Sequence, residues 1–493
     1  MTIQSIRIEN FKRFKDVTID LSHQITLLYG ENSAGKSSVL KAILGLVQTF
    51  SEDNKHQTWS AQGPFVDLGL YKDYIKDHDV KNKFSISLRS HDYSPYVAKS
   101  KRNKKHITEQ SFTYEFDSSS SQAKINSFQE TTLSLDKEVK LSEQIMLGAL
   151  SGDPRYSEDN YVSVKVTKLK TRSHYKLSID PLTRLSMYGD PNTPPGWLKD
   201  PHLTDSFDVT FENKFNISEK DKNDEHSAWK LYTTRIMYER AINETASLLS
   251  GFHYLGPLRM SPMRSYTLTH HTSKVGADGK LTPLVLSFIA KKAAEDKTKT
   301  KIHALKYANF KRWFNYIFPE YEILVEPSED IVRLKVKSSG RVDSISDVGF
   351  GFSQVLPILV QASALDPGDT LIIEQPELHL HPKAQVAFAA FVTEAAKSGV
   401  KFIIETHSEH ILRGLQLKVS ENNLDSKQGI RASNIKIYYF HKDAKVTNMI
   451  LNEFGEIEGG WPAGFFDESY KISSQILKNK ISDLNNQKKL REQ

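Results

Sequence analysis

The sequence predicts an α/β fold: a parallel sheet carrying a phosphate-binding loop, interrupted by a large β-rich and helical insertion. Three observations predict it. Gly30 to Ser37, read as G-E-N-S-A-G-K-S, lies between an apolar strand (Ile25 to Tyr29) and a helical pattern (Val39, Leu40, Ile43, Leu44, Val47). The C-terminal third alternates strand, helix, strand, helix, the mark of parallel strands joined by crossover helices. Two buried aliphatic runs there, within Asp369 to Leu380 and Lys401 to Ser408, end in polar residues, at the sheet edge where open α/β folds hold ligands.

Composition narrows the class. At 493 residues the chain exceeds the size at which one core stops growing, so two or three lobes are expected. Hydrophobic content of 38% with 10% aromatics points to a folded chain with much loop and partner surface. The absence of cysteine removes disulfides and thiolate chemistry and fits a reducing compartment. Ile3, Ser5, Ile6 and Ile8 already alternate as a strand, leaving no room for a signal peptide, and no apolar run reaches the ~20 residues of a membrane span. A cytoplasmic protein with no membrane partner is expected.

The elements then follow in order. Residues 1–80 supply the first strands, the phosphate loop and its helix, then a loop with G-P-F-V-D-L-G at Gly63 to Gly69. Residues 81–225 carry short alternating segments (Phe84 to Leu88, Tyr161 to Val166, Tyr175 to Ile179) broken by polar and proline-rich stretches, a β-rich insertion. Residues 226–316 form a helical lateral region, with one long helix at 227–250 and the strand and arginine-bearing turn Tyr254 to Arg259. Residues 317–440 return to the sheet, and 441–493 form a C-terminal extension. In it Ile472, Ile476, Leu477, Ile481 and Leu484 recur at helical spacing, a face for either its own domain or a partner.

Within the loop, backbone N–H groups of Gly30, Asn32, Ser33 and Gly35 converge on a phosphate. Lys36 reaches the β/γ-phosphates, and Ser37 and Ser38 open the helix, with Ser37 a Mg²⁺ ligand. ATP and Mg²⁺ are the cofactors this pattern calls for. Glu374 ends an aliphatic strand and supplies the oxygen a hard cation needs. Thr406, His407 and Ser408 are delivered to the same edge, where His407 is placed to meet the γ-phosphate. Ser346 to Gln354, S-D-V-G-F-G-F-S-Q, offers a second anion cradle at a helix start, which suggests a composite site capped by another subunit.

Together these motifs resemble ABC-class ATPases of the RecF, SMC and OLD group. The resemblance implies an ABC-type ATPase head in which two copies sandwich two ATP molecules. By position it makes Glu374 the Mg²⁺-side acid and His407 the switch histidine, and it gives signature contacts to Gly349, Gly351, Ser353 and Gln354, without fixing the equivalent serine. Ile8 to Phe14, I-E-N-F-K-R-F, resembles the family's first strand and turn, which puts Lys12 and Arg13 beside the adenine. Gln62 is the candidate for the loop that couples ATP to the lateral domain and reaches the metal. The longer motifs Y-L-G-P-L-R, D-V-G-F-G-F-S-Q-V-L-P, I-E-Q-P-E-L-H-L-H-P and G-G-W-P-A-G-F-F-D-E resemble bacterial antiphage ATPases, the PtuA type of Septu and retron modules and the AriA type of PARIS.

One departure bears on rate. Most relatives place a glutamate after the Mg²⁺-side acid, and here Gln375 stands there. Glutamine can orient a water but cannot take its proton, and losing a general base costs about 10²- to 10⁴-fold. Hydrolysis is expected to be slow unless Glu377 supplies the carboxylate. No fused Toprim acid cluster or hydrolase triad follows, so any nuclease, such as an HNH or Toprim protein, is expected to be a separate effector. His379 and His381 read as loop-packing groups in preference to metal ligands, because no third ligand follows at plausible spacing.

The net charge of +6 argues only weakly for nucleic acid. Two basic clusters, Lys99 to Lys105 and Lys165 to Lys176, are either solvated surface or a DNA, RNA or msDNA contact. Two readings therefore stand: an oligomeric ATPase sensor and scaffold of an antiphage complex, or a RecF-like DNA-maintenance ATPase. A stand-alone nuclease is a third and weaker one.

Overall fold

The computed structural model describes residues 2–51, 58–92, 106–134, 174–179, 241–268, 272–296, 301–328, 330–424, 428–460 and 474–480. Both basic clusters, the strand expected at Tyr161 to Val166, residues 461–473 and 481–493 of the extension expected at 441–493, and residues 227–240 of the helix expected at 227–250 lie outside them, apart from the backbone of Lys176. The chain divides into two compact units, Met1–Ser22 with Ser37–Tyr254, and His23–Lys36 with Leu255–Gln493.

In chain order the elements are β1 (Thr2–Phe11), β2 (Phe14–Asp20), β3 (Ile25–Gly30), α1 (Lys36–Thr49), β4 (Phe84–Asp92), β5 (His106–Asp117), β6 (Gln122–Ser134), β7 (His174–Ile179), β8 (Phe252–Leu255) and β9 (Tyr266–Thr267). Then come α2 (Thr282–Glu295), α3 (Ile302–Ile317), β10 (Glu322–Pro327), β11 (Ile331–Ser338), β12 (Arg341–Ser344) and α4 (Phe350–Ala364). The last are β13 (Thr370–Glu374), α5 (Pro382–Lys397), β14 (Lys401–Glu405), α6 (Glu409–Leu424), β15 (Ile435–Phe440) and β16 (Val446–Met449). Residues 241–250 are helical.

The first unit is built on an antiparallel sheet in the order β2-β1-β4-β5-β6-β7. Its strands alternate as period-2 patterning requires. Ile6, Ile8, Phe84, Ile86, Leu88, Phe112 and Tyr114 are buried on one face, while Arg7 to Asp16 and Arg89 to Glu109, each 2.7 Å, pair on the other. The boundary expected at residue 80 falls inside this sheet, since β1 pairs with β4 from Thr2↔His91 to Glu9↔Ser85. Residues 84–134 continue the N-terminal strands instead of standing apart from them. The pairing is long-range, so local alternation alone could not reveal it.

The second unit holds a mixed sheet in which β16, β15, β3, β14 and β13 follow one another. β3, near the N-terminus, lies between β14 and β15 and is parallel to both. β13 runs parallel to β14, and β16 is antiparallel to β15. All of β3 and the first four residues of β13 are buried, as expected for strands covered on both faces. Around them pack α3, α4, α5 and α6, with Trp313 edge-on to Phe391 at 5.4 Å. Helices α5 and α6 approach closely because Gly414 has no side chain: a Cβ there would lie 2.7 Å from Ala389 Cβ.

Candidate functional site

The site is assembled at the C-terminal edge of this parallel sheet. Glu374 pairs with Glu405, and Glu405 with Leu28, two residues before the loop begins at Gly30. With strands about 4.8 Å apart, Glu374, a second acid and the glycine-rich loop stand side by side on three adjacent strands. The two distant stretches of sequence thus meet at one edge.

The loop has the backbone that a phosphate cradle requires. Gly30 (φ 142°) and Gly35 (φ 109°) lie where side chains are rarely tolerated, and Ser33 is left-handed at φ 60°. A Cβ on Gly30 would sit 2.3 Å from the Phe440 carbonyl oxygen. Asn32 and Ser33 are exposed, Gly35 is buried, and Ser37 and Ser38 are half-buried at the start of α1. Lys36 is 4% exposed, and its Nζ donates to the carbonyls of Gly30 (3.0 Å) and Glu31 (2.9 Å). Burial lowers the ammonium pKa, opposed by the charges of Glu405 and Glu377.

Glu405 is a residue the sequence reading passed over. It is 3% exposed, lies between Glu374 and the loop strand, and its charge acts on Lys36. The signal was present as the acid before Thr406, in the register of Glu374.

Glu377 proves to be an anchor. Its Oε2 accepts from the Thr406 hydroxyl and its Oε1 from the His407 backbone N–H, both at 2.7 Å. The sequence reading left Glu377 open as a substitute base. Both its oxygens accept hydrogen bonds from the Thr406–His407 segment, so in this conformation Glu377 holds that segment in place. Behind it Ser408 caps α6, its Oγ accepting from Ile411 N–H (3.0 Å) and donating to Gln385 (2.6 Å). Tyr29, its phenol raised well above the ordinary pKa by burial, donates to the Ser408 carbonyl at 2.9 Å.

The His407 side chain remains at the surface. Partial burial and the Lys36 ammonium hold its imidazole below the ordinary pKa. The sign follows: the unfolded state takes up a proton before the folded one does, so stability is lost as pH falls through and below the usual histidine range. Thermal melts between pH 7.5 and 5 are expected to show this loss, and His407→Asn is expected to shrink it. An identical pH profile for the two proteins would remove the assignment.

Gln375 is left-handed (φ 45°) and its N–H donates to the Glu405 carbonyl at 2.7 Å, tying the turn after β13 to β14. His381 caps α5, its side chain accepting from Lys383 N–H at 3.3 Å. No group of three or more metal-ligating side chains is present among the described residues.

The signature segment needs a correction. Gly349 is exposed and Gly351 half-exposed at the start of α4, but Ser353 (5%) and Gln354 (6%) are buried within their own protomer. Their side chains are not available to a second subunit in this conformation. The physical reason is that α4 is apolar on nearly every side, from Phe352 through Val360, so its polar residues are buried with it.

In the first unit, Lys12 and Arg13 form the two-residue turn between Phe11 and Phe14 of β1 and β2. Burial and the neighbouring Lys41 hold the Lys12 ammonium below its ordinary pKa. Gln62 is exposed, with its backbone bridged to Asp67.

A family model described as AAA ATPase domain matches residues 1–412. The chain belongs to the AAA ATPase domain family. A second model, described as a protein of unknown function (DUF3696), matches residues 430–472. Over 45 residues this AAA ATPase is 49% identical to an ATP/GTP phosphatase of Helicobacter pylori, covering 9% of this chain and 12% of that protein. Over 107 residues it is 27% identical to the DNA replication and repair protein RecF of Exiguobacterium sp., covering 21% and 26%. The matches thus span at most about a quarter of these relatives' length.

Among solved structures it is similar to an SMC head bound to the C-winged helix domain of ScpA, at 10% identity over 92% of this chain and 99% of that one (TM-score 0.42). It is also similar to the SMC head domain from Thermotoga maritima, at 9% identity over 92% and 100% (TM-score 0.33). A third is an Smc head with an extended coiled coil bound to the C-terminal domain of ScpA derived from Pyrococcus furiosus, at 14% identity over 96% and 99% (TM-score 0.37). No helix among the described residues is long and apolar enough to cross a membrane.

Proposed function

We propose that this chain is a slowly hydrolysing ABC-type ATPase that assembles through ATP-sandwich heads. In this reading it is the sensor and scaffold of a bacterial antiphage complex, restraining a separate nuclease or toxin. The observation that carries the ATPase part is the shared strand edge of Lys36, Glu374, Glu405 and His407. The donor set fits the ligand: a loop whose Gly30 leaves no room for a Cβ, a buried lysine, and acids suited to a hard cation. Lys36 and the loop N–H groups hold the triphosphate, Ser37 and Glu374 hold Mg²⁺, and His407 donates to the γ-phosphate. Mg²⁺, when bound, neutralises charge that develops on the phosphate oxygens. The antiphage role is supported by the long motifs alone.

The test uses Gly349, where a Cβ would meet no heavy atom within 4 Å. An arginine there leaves the protomer's packing intact but obstructs a facing subunit. Mass photometry is expected to show assembly with ATP for the wild type and none for Gly349→Arg. Assembly that ignores both ATP and this substitution would end the sandwich reading. Co-expression with the neighbouring reading frames is expected to recover a nuclease in complex.

Similarity to RecF favours a second reading, a DNA-maintenance ATPase. ATP-dependent duplex binding that weakens steeply with salt would select it.

A further inference from the structure

The segment from Gly256 to Tyr266 has no part in the site described above, yet it is fastened to both sides of it. Gly256 N–H donates to the Ala277 carbonyl (2.8 Å) and Met260 N–H to that of Asp278 (2.9 Å). Between these anchors Arg259, 7% exposed, donates from Nη2 to the main-chain carbonyl of Glu374 at 2.8 Å. Five residues on, Arg264 grips Asp347 with both terminal nitrogens, Nη1 to Oδ2 at 3.0 Å and Nη2 to Oδ1 at 2.9 Å. Asp347 ends the short turn two residues before Gly349. Met263 N–H donates to the hydroxyl of Tyr266 (2.7 Å), and Tyr266 is itself buried in β9 against Val332 of β11.

We propose that this segment is a positioning strap, with Arg259 and Arg264 the residues through which the β13 end carrying Glu374 and the approach to the signature helix move together. The inference rests on the ATPase reading above. Arg259 contacts a backbone carbonyl immediately before the left-handed Gln375, so it registers where the strand end lies and not the state of a side chain. A planar guanidinium that holds both oxygens of a carboxylate fixes direction as well as distance, so Asp347 follows Arg264 when the strap shifts. The pair is exposed, 74% and 45% by side chain, and such pairs add little to stability. Breaking it therefore tests coupling without unfolding the protein.

The experiment compares Arg264→Asp, Asp347→Arg and the double exchange in the full chain, using single-turnover hydrolysis of radiolabelled ATP. Each single variant is expected to keep its ATP affinity and melting temperature while its maximal rate falls about fivefold or more, with the double exchange recovering most of the loss. Arg259→Lys, which keeps the charge but loses the fork, is expected to lower kcat at unchanged KM. Single variants as fast as wild type, or a double exchange as slow as its parents with an unchanged melting temperature, would overturn the strap. Hydrolysis that depends on Lys36 but ignores this pair removes the strap alone, whereas a wild type with no Lys36-dependent hydrolysis removes the ATPase reading and the strap with it.

Discussion

Alanine in place of Lys36 is expected to weaken ATP–Mg²⁺ binding by at least about 10²-fold and to reduce hydrolysis to background, because the charge-assisted hydrogen bonds its ammonium would make to the phosphates, roughly 1.5–3 kcal/mol each, are lost. The ammonium is buried, donates to the Gly30 and Glu31 carbonyls, and is the cation that Glu405 and Glu377 act upon. Its removal leaves a buried acid without that compensation, so the variant is also expected to melt at a lower temperature. Calorimetric titration with a non-hydrolysable triphosphate, below the variant's melting temperature, separates the two effects. Wild-type affinity in a folded Lys36→Ala protein would mean that the loop is not the nucleotide site. Lys36→Arg discriminates further: it keeps the charge but must place a larger planar group inside a closed cradle, and it too is expected to lose turnover.

How much of this was legible in the sequence differs from element to element. The edge of the parallel sheet was, because each of its parts is announced locally: a glycine-rich turn after Ile25 to Tyr29, aliphatic runs ending at Glu374 and Glu405, and helical periodicity between them. Three things were not legible. The antiparallel pairing of β1 with β4 joins residues some 80 apart, and alternation gives a strand's faces but not its partner. The burial of Ser353 and Gln354 depends on which way an almost wholly apolar helix is turned, and such a helix has no polar face to fix its rotation. The anchoring role of Glu377 depends on a contact 30 residues away with the His407 N–H, across a turn whose direction is set by left-handed Gln375 and His379. Sequence spacing could name Glu377 as an available acid. Only geometry could show it already engaged.

On the proposed function Gln375 stands where a general base would follow Glu374, and Gln375→Glu is expected to raise the rate of hydrolysis by about 10²-fold. The exchange is nearly isosteric. The backbone is already held by the 2.7 Å hydrogen bond from Gln375 N–H to the Glu405 carbonyl, and the left-handed φ of 45° is no more strained for one side chain than for the other. What changes is that an attacking water would have a carboxylate able to accept its proton, where the amide can only orient it. A third acid beside Glu374 and Glu405 also raises the proton affinity of the new group, which suits a base operating near neutral pH. Phosphate release at saturating ATP measures the outcome, with nucleotide affinity as the control. If affinity is kept and the rate does not rise, proton transfer is not what holds the enzyme back, and a conformational step or product release becomes the slow one. A rate that does rise would instead make the glutamine a brake on hydrolysis.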